Sequence, residues 1–136
     1  MARVQAEVVL TPVTELSHVV IVGFPGMQSL DAVGPFEVFS SATQVVQGGA
    51  HGARGAGGGY RVSLVSSAGG AVTCESGLGV ATAALPEPTA EQPIDTLVLA
   101  GGWGVFEARH DPVLMSWIAA VAVSYTHLTL PTIYSV

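Results

Sequence analysis

The chain has 136 residues, 49% of them apolar and only 10% charged, which fits one domain with a sizeable core and excludes disorder driven by excess charge. Four arginines and no lysine face ten acids, a net charge of -6, so the segment should repel phosphate backbones instead of gripping DNA. The one cysteine, Cys74, excludes an intramolecular disulfide and a multi-thiolate metal site, and no apolar run reaches the roughly 18 residues of a membrane span.

Residues 1–17 mix Thr11, Pro12, Thr14 and two glutamates with short apolar pieces, and read as a leader without a function of its own. His18 to Phe24 is a β-branched run stopped by Pro25-Gly26, as expected of a parallel strand buried on both faces. Gly34-Pro35 suits a helix start with proline at the first position, and Phe36, Val38 and Phe39 give an apolar face to about Ala42. Thr43 to Gly59 is glycine-rich with almost no bulky apolar side chain, which predicts a flexible loop. Tyr60 to Ser66 alternates as a second strand, and Val72 to Ala83 reads as a weak strand or hairpin broken by Gly77 and Gly79. Asp95 to Ala100 is another continuous apolar strand, ending in Gly101-Gly102-Trp103-Gly104. Asp111-Pro112 then caps a helix whose stripe is Leu114, Trp117, Ile118 and Val121. Alternating strand and helix argue α/β with a mainly parallel sheet, whose ligands lie at the carboxyl ends of the strands.

Val123 to Val136 departs from this pattern, with no Ala, no Gly and no charge in a chain otherwise dominated by Ala and Gly. Val-Ser-Tyr-Thr-His-Leu at 123–128 looks like one reading frame of a transposon-end sequencing adaptor. The tail is therefore expected to be non-native, the alternative being a genuine strand over about His127 to Ile133.

Several chemistries can be weighed directly. A P-loop needs a lysine that is absent, and neither Gly102-Trp103-Gly104 nor Gly77-Leu78-Gly79 completes a dinucleotide fingerprint. No His pair has ligand spacing, so no metal is expected, nor any other cofactor. Cys74 beside Glu75 reads as structural, because a neighbouring carboxylate disfavours the thiolate. Asp111 is explained by capping. Asp31 and Glu37, just past the first strand, form the best candidate site, although Asp31 could serve only a turn and Glu37 only the helix dipole. The Gly101-Gly102 backbone could offer amides to an oxyanion or merely permit a tight turn.

The run His18 to Phe24 followed by Pro25-Gly26, the block Leu30-Asp31-Ala32-Val33-Gly34-Pro35-Phe36-Glu37-Val38-Phe39, the strand Tyr60 to Ser66, Ser76 to Val80, Asp95 to Gly102 and the Asp111-Pro112 helix together resemble the DJ-1/PfpI superfamily. Within it they are most similar to the amidotransferase-like sensor domain of GlxA-type AraC-family transcription regulators, over about Ser17 to Ala122. The resemblance implies a flavodoxin-like three-layer sandwich, C-terminally truncated and therefore a partial domain over 18–122. It also implies a protein that binds a small-molecule effector, is a homodimer when intact and meets DNA only through a C-terminal helix-turn-helix pair not in this chain; with no apolar h-region before Glu15 and no membrane-length run, the chain is expected to be cytoplasmic and to touch no membrane. Ligand-binding residues implied are Asp31, Glu37, Gly101 and Gly102. In enzymatic relatives a further strand carries a nucleophilic cysteine. Glu37 would face it, and the Asp31 position is the catalytic acid of relatives resembling isonitrile hydratase. Cys74 does not match that nucleophile, so activity in this chain is not expected.

Overall fold

The computed structural model describes residues 16–48 and 58–124, and the backbone of 127–129. Its centre is β1 (Ser17–Val22), whose residues from His18 onward are all buried. β1 pairs in parallel with β2 (Tyr60–Ser66) on one side and β5 (Thr96–Leu99) on the other. β4 (Gly79–Ala84) adds to β2 in parallel, and β3 (Gly70–Thr73) folds back on β4 as the antiparallel member of a hairpin. The six strands are ordered β3-β4-β2-β1-β5-β6.

Helices cover both faces, which is why the β1 sequence is a continuous apolar run and does not alternate. On one face Val19, Ile21 and Val98 pack with Met27 and with Phe36 and Phe39 of α1 (Ser29–Gly48). On the other, Val20, Val22 and Leu97 pack with Leu114 and Val121 of α3 (Pro112–Ala122). Each fully buried aliphatic side chain stabilises by about 1.5–3 kcal/mol before entropy is charged against it. The architecture is the three-layer flavodoxin-like α/β sandwich expected from the sequence.

The first helix differs from expectation. It starts at Ser29, not at Gly34-Pro35, and runs to Gly48, so Pro35 lies in its interior. Proline removes one helical N–H and is disfavoured there, but Gly34 has no Cβ to clash with the ring, which lowers the barrier to a helical pre-proline residue. At the far end, the Thr43 hydroxyl lies 3.0 Å from both the Phe39 and Tyr60 carbonyls, which share its single proton, and accepts from the Tyr60 N–H at 2.7 Å. Phe39 meets Tyr60 edge-to-face at 4.9 Å. These contacts anchor the helix at Thr43, and it continues to Gly48 through a stretch whose composition predicted loop. The rest of that predicted loop, residues 49–57, lies outside the described residues, as do leader residues 1–15.

A short α2 (Val105–Ala108) follows β5 and leads to α3. Asp111 caps α3 as the sequence predicts: its Oδ1 accepts from the Val113 and Leu114 N–H groups at 3.0 and 3.1 Å. Within the compositionally distinct tail, the backbone of β6 (His127–Thr129) pairs in parallel with β5. No helix among the described residues is long and apolar enough to cross a membrane.

Candidate functional site

From β1 the chain turns to β2 on one side, while β5 lies on the other, so the strand order reverses between β1 and β5. Crevices at the carboxyl ends of strands beside such a reversal are where open α/β sheets bind ligands. Three segments converge there. The first is the β1–α1 turn, the second the tip of the β3–β4 hairpin, and the third the glycine-rich turn after β5.

Backbone hydrogen bonds bind the three together. Gly26 N donates to Thr73 O, Glu75 N to Met27 O, Gln28 N to Gly101 O and Gly104 N to Gly26 O, each at 2.9 Å. Two carboxylates then pin the last turn: Gly101 N donates to Asp31 Oδ2 at 2.8 Å, and Trp103 N to Glu75 Oε2 at 3.0 Å. Gly102, between them, has φ of +108°, and a Cβ there would fall on Gln28 N. Only glycine fits that backbone.

Asp31 is 4% exposed, and a carboxylate so buried is tolerable only when hydrogen bonds replace its water. The structure therefore brings Asp31, Gly101 and Gly102 together. It does not bring Glu37 to them. Glu37 is exposed and stands six residues further along α1, roughly 9 Å down the axis and roughly 120° around it. Nor is the Gly101 amide available to an oxyanion, because Asp31 already accepts from it.

Sequence reasoning missed three neighbours. Glu75 reaches the turn from 28 residues away, which no local pattern shows. Gln28 holds a buried Oε1 with no hydrogen-bond partner among the described residues. Trp103 is 74% exposed and stacks on Phe106 with ring centroids 6.1 Å apart, and the Arg109 guanidinium lies 5.6 Å from the Phe106 centroid. The turn thus carries an aromatic lip beside a set of acceptor oxygens, which suits a ligand with hydrogen-bond donors and a flat apolar part.

Other titratable groups lie outside this chemistry. Cys74 is 3% exposed, and burial first, then the Glu75 charge, pushes its thiol up, so it is a structural thiol and no thiolate. His18 sits at the opposite, amino end of β1. Its Nε2 is 3.2 Å from Ser63 Oγ, and burial and then the Arg61 charge hold its pKa below the ordinary value, against an opposing pull from Asp95. Among the described residues no three His, Cys, Asp or Glu side chains cluster as metal ligands.

The fold recurs in solved proteins. A ThiJ/PfpI family protein from Pseudomonas syringae matches with a TM-score of 0.65 at 20% identity, over 96% of this chain and 48% of that one. The chain has the DJ-1/ThiJ/PfpI fold. An AraC family transcriptional regulator from Pseudomonas putida shares it, with a TM-score of 0.56 at 16% identity, over 84% of this chain and 63% of that one. Among curated proteins, 97 residues are 36% identical to an uncharacterized protein from the cpoL 5′ region of Streptomyces lividans, covering 71% of this chain and 60% of that protein. The chain thus spans less than two-thirds of each of these relatives. No protein-family model matches the sequence.

Proposed function

We propose that this chain is the ligand-sensing part of a GlxA-type AraC-family transcription regulator, cytoplasmic and homodimeric, whose DNA contacts are made by a helix-turn-helix region outside the 136 residues. The observation that carries the reading is the buried Asp31 carboxylate locked onto the Gly101 amide at the β1–β5 crevice. It is a preorganised polar floor beside the exposed Trp103–Phe106 pair, with no thiolate near it. Such a floor can read a small molecule without transforming it. The net charge of -6 supports assigning DNA contact to another region. A shared fold with an AraC family regulator is consistent with this and does not by itself assign function.

A second reading, an enzyme resembling isonitrile hydratase, is favoured by the same buried Asp31, which would act as acid/base toward a nucleophile. The two separate in one experiment on the full-length protein from the source locus. A regulator retards its own promoter fragment in a gel, a small-molecule library changes that retardation, and Asp31→Asn abolishes the change while DNA binding persists. Absence of promoter binding together with hydration of a simple isonitrile refutes the sensor reading.

A further inference from the structure

We propose that the cleft between the β2–β3 turn and the α2–α3 corner is a binding site for a small aliphatic primary amine in its ammonium form. The site goes beyond the sensor reading and does not depend on it, since neither Asp31, Gly101 nor Gly102 lines this cleft. Its volume is about 330 Å³, at the small end of ligand pockets. The floor is apolar and built from the core: Phe24, Val72 and Leu114 are buried, and each also packs in a core cluster. The rim is polar and of one sign. Glu107, Asp111 and Ser67 line it, and among the described residues no Lys, Arg or His does.

The free hydrogen-bonding capacity of that rim selects the head group. Asp111 Oδ1 accepts from two α3 amides, which hold the carboxylate in place, and Ser67 stands beside it on the same rim. The Ser67 hydroxyl first, then the α3 amides, favour its ionised form and keep its pKa below the ordinary carboxylate value. Glu107, by contrast, has no side-chain partner among the described residues. The nearest cation in sequence, Arg109, lies against the Phe106 ring and donates from Nε to His110. An ammonium has three donors and no acceptor, which matches a rim offering carboxylate and hydroxyl oxygens. A bare metal ion would leave the apolar floor unused, and a quaternary ammonium would need an aromatic cage where, among the described residues, Phe24 is the single aromatic lining residue. A short branched alkyl chain on the amine fills the floor.

The test titrates the 136-residue protein with isoamylammonium chloride, using isoamyl alcohol and isovalerate as the neutral and anionic isosteres, by ligand-observed NMR with calorimetry. The amine should bind saturably, the alcohol about tenfold more weakly, and the carboxylate not at all. Glu107→Gln, at an exposed position, should weaken the amine about tenfold and leave the alcohol unchanged. Ala68→Trp, at an exposed turn residue on the rim, should block both ligands, with circular dichroism confirming an intact fold. Asp31→Asn should leave amine binding as it is, which separates this site from the crevice. Absence of saturable amine binding, equal binding of amine and isovalerate, or amine affinity unchanged in both rim variants would overturn the proposal.

Discussion

Replacing Asp31 by alanine should destabilise the fold through one identifiable event, the loss of the acceptor 2.8 Å from the Gly101 N–H. That half-buried amide then loses its partner beside a side chain that was itself 4% exposed, and a donor left unsatisfied there costs about 1–3 kcal/mol. Its bond to Asp31 is charge-assisted, which puts the expected loss near the upper end, about 2–3 kcal/mol. For a domain of this length that corresponds to a fall in Tm of roughly 6–12 °C. Asparagine keeps an acceptor oxygen at the same reach but not the charge, so Asp31→Asn should lose only about 1 kcal/mol. Urea titrations followed by circular dichroism measure both variants, with the slope unchanged if only the native bond is affected. An alanine variant within about 0.5 kcal/mol of the parent, or an asparagine variant as unstable as the alanine one, would show that the bond does not pin the turn.

Glycine substitutions separate backbone strain from collision. Gly77 and Gly102 both have positive φ, but a Cβ at Gly77 meets open space while one at Gly102 falls on Gln28 N. Gly77→Ala should therefore cost about 1–2 kcal/mol and Gly102→Ala distinctly more, and equal losses in denaturation midpoint would contradict the packing of that turn. His18 gives the pH dependence. Its folded pKa lies below the ordinary 6.5, so above that value both states are neutral and the stability is fully present; as pH falls below it the unfolded chain takes up the proton first, and stability drains until the folded pKa is passed. Tm measured from pH 8 to 5 should fall on acidification and fall less in His18→Gln; identical profiles would remove His18 as the cause. Cys74 should resist iodoacetamide in the native protein and react only in urea, because burial keeps its thiol protonated and covered; prompt native labelling would contradict that environment.

What the sequence determined by itself was the part of the fold carried by local pattern. The β-branched run after Ser17, the alternation of Tyr60 to Ser66 and the apolar stretch before Gly101 each state how much of a strand is buried, and Asp111-Pro112 states where α3 begins, because capping is satisfied within four residues. The start of α1 was not legible. Proline at a first helical turn is the local preference, and only the contacts of Met27, Phe36 and Phe39 with β1 make a helix through Pro35 worth its cost. The site divides the same way. Asp31 and the glycines could be singled out because they end parallel strands. That Asp31 faces Gly101 from 70 residues away, that Glu75 reaches Trp103 from the hairpin tip and that Glu37 is carried off around the helix are consequences of strand order and helical rotation. Those depend on which strands pair and on the radial angle of each residue, long-range quantities that no window of sequence encodes.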